Sequence, residues 1–540
     1  MLSLENTFAN PAALADTGYE APNRFLILGL GESGLAMAKW CLRNGAQVRL
    51  ADTRDQSKLS ERQLAWVDEL RVAGLKDIQF GPLGDDLLSD IDVIGISPGL
   101  SPLQEPAQSF LVKARKSRID VWSEIEFFAR AIAALSRMAQ DIQSSYASTV
   151  LAVTGTNGKT TTTALTGQLC ERAGKKVAVA GNISPAALEK LMSCLDTSDQ
   201  LEDMPDIWVL ELSSFQLVYT YSLNPAAATV LNLSQDHLDW HGDMQSYATA
   251  KANIFGKDTI CILNRDDALV MNLLTDDQKA EHSVVTFGAN RPDEQGAFGI
   301  EHDLRAGGID WLVWAEVDED LEPKPKRRRK GAAVEEDEPL RLKRLIPADA
   351  LRIRGRHNAL NALAALALAR AANLPMNVLL HGLRDYHGEP HRVQSIAVVN
   401  DVEYIDDSKG TNVGATVAAL NGLGNSESGK RIWLIAGGDG KGQDFSPLRE
   451  PSLRFVKGIF LIGKDAEKIS EVLGGEVPCT LSATLPVAVQ AAAAQAQSGD
   501  LVLLSPACAS LDQFRDYVER AELFVSEVEE LGMRFEGVQA

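Results

Sequence analysis

Short apolar runs alternate with segments of helical pattern along most of the chain. The runs lie at 25–28, 48–50, 78–80, 91–96, 151–153, 177–180, 207–210, 228–233, 432–436, 459–462 and 501–504. Strands that alternate with helices form parallel sheets covered by helices on both faces, and such buried strands read as continuous apolar runs. The pattern therefore predicts an α/β protein with mainly parallel sheets.

The pattern changes at two places, which we interpret as domain boundaries. After Trp122 a helical stretch gives way to Ser-, Ala- and Gln-rich sequence through Ser148, and Gly388-Glu389-Pro390 precedes a new hairpin with its turn at Asn400-Asp401. A chain of 540 residues is expected to divide into about three domains. We predict domains over 1–122, 123–388 and 389–540, with the polar, unpatterned residues 1–23 as a tail.

A charged segment at about 316–339 interrupts the middle of the chain. It combines acidic, basic and acidic blocks with proline and almost no apolar residues, so it cannot bury enough surface to fold alone. We predict that it lengthens a β-hairpin between 311–314 and 340–345. Taken alone, its basic block at 324–330 would fit a nucleic-acid patch, but the acidic flanks favour a solvated loop.

The composition is that of an ordinary soluble globular protein, with 45% hydrophobic and 24% charged residues. The formal net charge of −21 argues against nucleic acid as a partner, because binding phosphates needs a basic surface. No apolar run is long enough for a membrane span, and the N-terminus lacks the pattern of a signal peptide, so we expect a cytoplasmic protein. Six cysteines without a C-x-x-C pair fit reduced thiols and no structural zinc site.

The stretch over 150–163, V-L-A-V-T-G-T-N-G-K-T-T-T-T, is the clearest candidate for chemistry. Gly155 and Gly158 allow a tight turn that aims N–H groups inward, Lys159 supplies a positive charge, and Thr160 offers a hydroxyl to Mg²⁺. Val153 stands where the full G-x-x-x-x-G-K-[ST] pattern has its first glycine. The alternative is an ordinary strand, turn and helix start that contains a lysine, but the strand before and the helical run after favour a phosphate-binding loop.

A second glycine turn lies near the N-terminus. Gly29, Gly31 and Gly34 follow an apolar strand and precede a helical segment at 35–44, and a second strand ends at Asp52. This spacing matches the Rossmann fingerprint and indicates a bound nucleotide, not necessarily NAD. The alternative is that the glycines serve only helix–sheet packing. The loop 97–99, S-P-G, also follows a strand, where open α/β sheets bind ligands.

Polar side chains follow several strands of the middle domain. Glu211 ends the strand at 207–210, and His237 follows the strand at 228–233. Because the carboxyl ends of parallel strands meet at one edge, Thr160, Glu211 and His237 are expected to converge beside a bound triphosphate and Mg²⁺. Read alone, Glu211 would fit a carboxylate at a helix N-terminus, and His237 a surface histidine.

Two further groups of polar residues carry weaker signals. Asn358 lies three residues before Asn361 on an alanine–leucine helix, so both are expected on one side, where an amide would contact adenine or phosphate or would simply cap the helix. In the third domain, basic and hydroxyl groups at the strand ends suit an anionic substrate. The polar residues that follow the second strand of this domain are Asp407, Ser408, Lys409, Thr411 and Asn412, of which Lys409 is basic and Ser408 and Thr411 carry hydroxyl groups.

Taken together, the motifs resemble those of the Mur ligases of peptidoglycan synthesis. They are G-T-N-G-K-T, G-N-I, E-L-S-S-F-Q-L, N-L-S-Q-D-H-L-D, G-R-H-N-A-L-N-A, H-R-V, D-D-S-K-G-T-N, G-G-D-G-K-G and S-P-A-C-A-S-L-D-Q-F. The resemblance runs from about Arg24 to the C-terminus, apart from insertions, and the last three motifs are similar to those of the members that add D-glutamate. It implies an N-terminal Rossmann-like UDP-binding domain, a central P-loop-type ATPase domain with a mainly parallel sheet, and a C-terminal Rossmann-like domain that closes over the site.

The resemblance also implies roles for individual residues. The UDP-linked substrate would contact Gly31, Ser33, Asp52, Thr53, Ser97, Gly99 and Asn182. ATP would contact Gly155, Thr156, Asn157, Gly158, Lys159, Thr160, Thr161, Asn358, Arg392 and Asp407. D-glutamate would contact Lys409, Thr411, Lys441, Ser510, Leu511 and Tyr517, of which Tyr517 stands where phenylalanine is often found. Glu32, within the first glycine turn, is another departure from the family pattern.

Four residues would form the catalytic centre: Lys159, Glu211, His237 and Lys251. Of these, Glu211, His237 and Lys251, together with Thr160, would hold two Mg²⁺ ions. The resemblance implies that Lys251 is carbamylated and so becomes a carboxylate-like ligand. The residues alone predict that Lys251 is an ordinary lysine on a helix surface.

The implied activity is that of an ATP-dependent, ADP-forming ligase that joins D-glutamate to UDP-N-acetylmuramoyl-L-alanine through an acyl phosphate. We expect a monomer. A nicotinamide-dependent dehydrogenase would use the first glycine turn but would leave the phosphate-binding loop within 150–163 without a role. A non-catalytic nucleotide-binding regulator would leave the third-domain groups unexplained. A sister ligase that adds another amino acid, or that extends folate, is the nearest alternative.

Overall fold

The computed structural model describes residues 2–10, 21–304, 308–317, 324–325, 336–337, 340–424 and 431–539. These residues form three α/β domains, each around its own mainly parallel sheet, so the predicted fold class is confirmed. The positions of the domain boundaries, at 122 and 388, stay predictions.

The first sheet is a five-stranded parallel sheet in the order β3-β2-β1-β4-β5. Its strands are β1 (Arg24–Leu28), β2 (Gln47–Asp52), β3 (Asp77–Phe80), β4 (Val93–Ile96) and β5 (Asp120–Trp122). The helices between and after them are α1 (Glu32–Arg43), α2 (Glu61–Val72), α3 (Ala107–Lys116) and α4 (Glu124–Asp141). Strand β1 is central and its apolar side chains are fully buried, so the glycine turn that follows it lies in the middle of the carboxyl edge.

The second sheet has the order β16-β13-β12-β11-β10-β9-β6-β8-β7. Its strands are β6 (Thr149–Thr154), β7 (Val177–Gly181), β8 (Ile207–Glu211), β9 (Ala227–Val230), β10 (Ile260–Asn264), β11 (Val284–Phe287), β12 (Phe298–Asp303), β13 (Ile309–Val317) and β16 (Leu340–Pro347), with β14 (Lys324–Pro325) and β15 (Glu336–Asp337) in a separate short pair. Its helices are α5 (Lys159–Arg172), α6 (Ala187–Thr197), α7 (Ser214–Leu217), α8 (Leu238–His241), α9 (Met244–Ala252), α10 (Ala268–Met271), α11 (Asp276–Glu281), α12 (Arg356–Ala371) and α13 (Met376–Asp385). The strands from β7 to β12 run parallel, and β12, β13 and β16 form antiparallel pairs.

The third sheet has the order β17-β18-β22-β19-β20-β21. Its strands are β17 (Gln394–Val399), β18 (Val402–Asp406), β19 (Ile432–Gly437), β20 (Val456–Ile462), β21 (Cys479–Leu481) and β22 (Leu501–Leu504). Its helices are α14 (Val413–Leu423), α15 (Arg449–Phe455), α16 (Ala466–Leu473), α17 (Leu485–Gln495) and α18 (Tyr517–Gln539). Among the described strands of this sheet, only β17 and β18 pair in antiparallel fashion. Its turn residues, Asn400 and Asp401, both have positive φ angles, as the hairpin prediction requires.

The prediction of an N-terminal tail is wrong for residues 2–10. Residues 2–10 are not a tail, because Leu2, Leu4 and Phe8 are buried in the core shared by the first and central domains, and the Leu2 N–H donates to the Leu195 carbonyl (3.1 Å). Their scattered spacing carries no periodic signal, so only tertiary contacts reveal their role. Residues 11–20 lie outside the described part.

The hairpin prediction in the middle of the chain is confirmed, since β13 pairs with β16 in antiparallel register. Most of the charged segment predicted at about 316–339 lies outside the described residues. The strand predicted over 228–233 ends earlier, at Val230, and the next residues run beside the loop before α5, where the Thr156 N–H donates to the Asn232 carbonyl (2.9 Å).

Helix α4 joins the first domain to the central one through buried carboxylates. Glu126 accepts hydrogen bonds from the Tyr221 and Ser222 N–H groups and from Arg130, whose guanidinium lies over the Trp122 ring. Glu124 is also buried, but the described structure gives it one hydrogen bond, from the Leu188 N–H at 2.5 Å in the first turn of α6, and its Oε2 atom has no partner. Burial raises the pKa of Glu124 to about 7.

Replacing Glu124 with glutamine is expected to change how stability depends on pH. A carboxyl group whose pKa is raised on folding contributes stability that is fully present below its unfolded pKa and is lost as pH rises through the folded value. Between pH 4.5 and 7, Glu124→Gln should therefore gain on the wild type by up to roughly 3 kcal/mol in free energy of unfolding. Urea denaturation at pH 5, 6, 7 and 8 measures this difference. Glu171→Gln, at the exposed end of α5, is the control, and parallel pH curves for Glu124→Gln and wild type would refute the expectation.

Candidate active site

The glycine turn at 155–158 leads from β6 into Lys159, the first residue of α5, at the carboxyl edge of the central sheet. We call this turn with its lysine the lysine loop. Gly158 has a φ of +83°, and a Cβ atom there would lie 2.4 Å from Asn361 Oδ1, so only glycine fits. Lys159 Nζ donates to the carbonyl oxygens of Gly155 and Thr156, both at 2.9 Å. The loop therefore curls around its own lysine, with the N-terminus of α5 behind it, which is the geometry of an anion site.

Asn232 holds this loop from the side. Its Oδ1 accepts the Asn157 N–H (2.8 Å), and its Nδ2 donates to the Asn157 carbonyl (3.0 Å). Asn232 follows β9 in the segment that sequence analysis assigned to the strand. No local pattern indicates this contact, because it depends on where the chain leaves the sheet.

Cationic side chains from the third domain reach the same place. Arg392 donates to Thr160 Oγ1 at 2.9 Å, and Lys409 Nζ lies 3.3 Å from the same oxygen. Burial and the neighbouring Arg392 lower the pKa of Lys409 to about 8, and burial also lowers the pKa of Lys159. Positive side chains that lie this close together repel one another. A multiply charged anion such as a triphosphate would relieve that repulsion, so the site is suited to bind one.

Glu211 lies at the end of β8, beside the loop. Its Oε1 accepts a hydrogen bond from Asn182 Nδ2 (2.8 Å), and its Oε2 is buried without a partner in the described structure. A buried polar oxygen without a hydrogen-bond partner is costly. A cation at this position would satisfy it.

His237 sits at the start of α8 with a φ of +53°. Its Nε2 lies 3.5 Å from Asp236 Oδ2, and its ring packs edge-on against Phe215. Burial lowers the pKa of His237, which favours the neutral imidazole that metal binding requires. His241, which sequence analysis left out of the site, hydrogen-bonds Ser214 instead.

Lys251 is fully buried on α9, so the residue-based prediction of a surface lysine is wrong. Its Nζ donates to the Gly155 carbonyl (2.9 Å) and lies 3.3 Å from Thr154 Oγ1, while the Tyr247 ring packs beneath it at 4.7 Å. Burial, followed by the charge of Lys159, moves the pKa of Lys251 well below its ordinary value. The short helix has no clear apolar face, which is why its sequence did not indicate a buried side.

These side chains can hold a divalent cation only when oxygen atoms of a bound ligand complete its coordination shell. Within the part of the chain that the structure describes, no three His, Cys, Asp or Glu side chains cluster closely enough to hold a metal by themselves. The Thr160 hydroxyl, the unpaired Glu211 Oε2 and the neutral His237 ring are donors that Mg²⁺ accepts when phosphate oxygens complete its shell. The donor set thus fits Mg²⁺ that arrives with a nucleotide.

A cavity of about 290 Å³ extends from the lysine loop between the central and third domains. Asn358 and Asn361 line it, and Asn361 Nδ2 donates to Asn358 Oδ1 (3.1 Å), which confirms that they share one side of α12. Asp407 lies on the opposite wall, where it accepts hydrogen bonds from Ser505 and the Val393 N–H. Burial raises the pKa of Asp407 to about 7.

In the first domain the glycine turn is closed by Asp52 and Ser97. Asp52 Oδ2 accepts the Leu30 N–H (2.7 Å), and Ser97 Oγ donates to the Gly29 carbonyl (2.8 Å). Arg54, which sequence analysis did not single out, binds both Asp52 oxygens. Burial alone would raise the pKa of Asp52, but the hydrogen bonds from Arg54 and Leu30 lower it. Gly31, Ser33 and Thr53 are part-buried beside this turn, and Gly99 is exposed.

The predicted D-glutamate residues lie on loops at the carboxyl edge of the third sheet. Lys409 Nζ is 5.3 Å from the centre of the Tyr517 ring, and Ser510 is buried. Lys441 and Leu511 are exposed on the loops after β19 and β22, and Thr411 is part-buried after β18. The structure gives no direct contact between Lys441, Leu511 and the Lys409–Tyr517 pair.

Arg520 of α18 ties two of these loops together, and sequence analysis missed it. Its guanidinium is fully buried and donates to the Ser408 carbonyl (2.8 Å), to Ser408 Oγ (3.0 Å) and to the Cys508 carbonyl (3.3 Å). A buried arginine on a long polar helix has no local sequence signal.

Models of three protein families match the chain. A Mur ligase MurD-like N-terminal domain matches residues 23–122, a Mur ligase middle domain matches 153–369, and a Mur ligase glutamate ligase domain matches 391–508. Among the described residues, no helix is both long and apolar enough to cross a bilayer.

Whole-chain relatives are named for one reaction. A UDP-N-acetylmuramoylalanine--D-glutamate ligase of Cupriavidus pinatubonensis is 55% identical over 94% of this chain and 97% of its own length. The ligase of the same name from Ralstonia nicotianae is 55% identical over 92% of this chain and 95% of its own.

Solved structures share the fold at lower identity. A MurF structure from Acinetobacter baumannii has a TM-score of 0.54 at 16% identity and covers 98% of this chain and 100% of its own. At that identity the likeness shows the fold alone. Because the family models together span most of the sequence, and relatives more than half identical cover over nine-tenths of it, the chain belongs to the Mur ligase family.

Proposed function

We propose that this Mur ligase joins D-glutamate to UDP-N-acetylmuramoyl-L-alanine and converts ATP to ADP and phosphate. The observation that carries the proposal is the meeting of two domains at Thr160, where Arg392 and Lys409 reach the lysine loop of the central domain. The names of the relatives support this choice of substrates.

The first domain would hold the uridine diphosphate part of the substrate. Its glycine turn, closed by Asp52 and Ser97, lies at the carboxyl edge of a parallel sheet, where such folds bind nucleotides. The residues assigned to this role are Gly31, Ser33, Asp52, Thr53, Ser97 and Gly99. Asn182, held by Glu211, would orient the distal part of the same substrate near the lysine loop.

The central domain would hold ATP. The residues assigned to it are Gly155, Thr156, Asn157, Gly158, Lys159, Thr160, Thr161, Asn358, Arg392 and Asp407. Thr160, Glu211, His237 and a carbamylated Lys251 would hold two Mg²⁺ ions. The metal would neutralise phosphate charge and polarise the γ-phosphate.

The third domain would bind D-glutamate through Lys409, Thr411, Lys441, Ser510, Leu511 and Tyr517. Ammonium and hydroxyl groups are natural partners for the two carboxylates of glutamate. Lys409 contacts Thr160 on one side and Tyr517 on the other, so it would place the amino acid next to the phosphates.

The reaction needs positioning and charge neutralisation more than a protein nucleophile. The alanyl carboxylate of the first substrate attacks the γ-phosphorus, ADP leaves, and an acyl phosphate forms. The neutral amine of D-glutamate then attacks the acyl carbon, and the tetrahedral intermediate expels phosphate and loses a proton to give the amide. Lys159, Arg392 and Lys409 would stabilise the charge that develops on the phosphoryl oxygens.

We also propose that the protein acts as a monomer in the cytoplasm, with domains divided near residues 122 and 388. The cysteines are free thiols in the described structure, which suits a reducing compartment.

An assay of phosphate release tests the proposed function. With ATP, Mg²⁺ and UDP-N-acetylmuramoyl-L-alanine, release is expected on adding D-glutamate and not on adding L-glutamate, L-alanine, glycine or a diamino acid. Release with a different amino acid would point to a sister ligase, and hydride transfer to NAD would point to a dehydrogenase. No release with any amino acid would favour a non-catalytic nucleotide-binding protein.

A further inference from the structure

Asn412 forms a direct link between the third domain and the lysine loop. It lies just after Lys409 and Thr411, at the start of α14, and only 7% of it is exposed. We propose that Asn412 is a positioning residue that holds the third domain against the lysine loop, so that the amino-acid substrate is aligned with the phosphates. The kinetic part of this inference rests on the proposed function.

Both ends of the Asn412 carboxamide are engaged. Its Oδ1 accepts the Ala415 N–H (2.9 Å) and so caps α14, while its Nδ2 donates to Asn157 Oδ1 in the lysine loop (3.0 Å) and lies 3.4 Å from Asp236 Oδ2. The cap fixes the orientation of the amide, because an N–H group of the helix requires an oxygen. The NH₂ group must then face the loop.

The loop residue that receives this bond is itself held firmly. Asn232 binds both the N–H and the carbonyl of Asn157, so the backbone that carries the Asn157 side chain is held in place. A displacement of the third domain would therefore break the hydrogen bond to Asn412, since the loop cannot follow.

Close approach of α14 to the loop depends on Gly414. A Cβ atom at this position would lie 3.1 Å from Asn157 Nδ2 and 3.2 Å from Ser234 Oγ, which is tighter than ordinary van der Waals contact. The missing side chain lets the first turn of α14 rest against the loop. The first turn of α14 therefore lines the same cavity as the lysine loop.

Lys409 and Asn412 thus make two anchors three residues apart. Lys409 contacts Thr160 at the start of α5, and Asn412 contacts Asn157 in the turn before it. Two contacts from one short segment restrict the orientation of the third domain more than one contact would. Both anchoring residues lie in the segment that carries Lys409 and Thr411, two of the predicted D-glutamate residues. Their contacts would therefore also position the amine of D-glutamate.

The variant Asn412→Asp removes the hydrogen bond to the lysine loop but keeps the N-cap of α14. Aspartate is as good an N-cap as asparagine, so the fold should keep its melting temperature, but the donor becomes a carboxylate oxygen that faces Asn157 Oδ1 and the Asp236 carboxylate. We expect at least a tenfold loss in kcat and a tenfold rise in KM for D-glutamate, with KM for ATP changed less than twofold. Asn412→Ser, which can cap the helix but cannot reach the loop, should show a smaller loss in the same direction.

Thr275→Asp is the matched control, because it makes the same kind of acidic N-cap on α11, which is exposed and distant from the loop. It should leave all kinetic constants unchanged. Small-angle X-ray scattering of the full chain with a non-hydrolysable ATP analogue provides a second readout. The radius of gyration of Asn412→Asp should exceed that of the wild type and of Thr275→Asp.

An unchanged radius of gyration would overturn the inference, as would wild-type kcat and KM in Asn412→Asp. Equal falls in melting temperature and activity in both Asn412 variants would show a merely structural role and would overturn it too. Failure of the wild type to release phosphate with D-glutamate would refute the proposed function, and the scattering comparison alone would then decide the role of Asn412.

Discussion

Replacing Lys159 with alanine is expected to abolish ADP release even when ATP, Mg²⁺, UDP-N-acetylmuramoyl-L-alanine and D-glutamate are all present. Lys159 is the cation at the centre of the loop, where its ammonium group already binds two loop carbonyls and would hold the γ-phosphate during transfer. Loss of one positioned donor to a developing charge commonly costs about 10²–10³-fold in rate, and here the loop would also lose its central support. A coupled assay for ADP measures the rate directly.

The control for this experiment is Lys175→Ala, which removes an exposed lysine just beyond the opposite end of α5. It takes away the same charge from the same domain and should leave ADP release unchanged. Near-normal turnover in Lys159→Ala would contradict the assignment of the loop to ATP.

Replacing Lys251 with alanine is expected to lower activity about 10²-fold, and short carboxylates such as acetate or formate should restore part of it. Burial lowers the pKa of Lys251 strongly, which favours the neutral amine that adds CO₂ to form a carbamate with release of a proton. The carbamate would bind metal through its oxygens. An added carboxylate can enter the space left by the side chain and supply similar oxygens.

Rescue must be specific to Lys251 to support this account. Acetate should not restore Lys159→Ala, because that variant lacks a cation rather than a carboxylate. Removing CO₂ from the wild-type enzyme should lower its activity, and bicarbonate should recover it. No rescue of Lys251→Ala at any acetate concentration would count against carbamylation.

The lysine loop shows how far local sequence can be used. The strand before it, the glycine turn and the helix after it appear in order along the chain, and the structure places them as β6, the loop and α5. Backbone conformation at a glycine and the periodicity of apolar residues are local properties, so sequence records them. The contacts that hold the loop in place, from Asn232 and Asn412, come from 75 and 255 residues away.

Lys251 and residues 2–10 show where local sequence misleads. Lys251 lies on a nine-residue helix without a marked apolar side, and Leu2, Leu4 and Phe8 follow no period. Each is buried because another part of the chain covers it, and burial is decided by neighbours that are distant in sequence. Arg520 and Glu124 are buried for the same reason.

The sequence by itself determined the α/β class, the order of strands and helices, the two glycine turns and the motifs that point to the family. These features depend on apolar periodicity and on residues needed for special turns, which act over a few neighbouring positions. Only the tertiary structure decided which charges meet at Thr160, which carboxylate oxygen at Glu211 lacks a partner, and how the third domain contacts the lysine loop. Such contacts depend on the packing of whole domains, because side chains from separate sheets come together only after each sheet has formed.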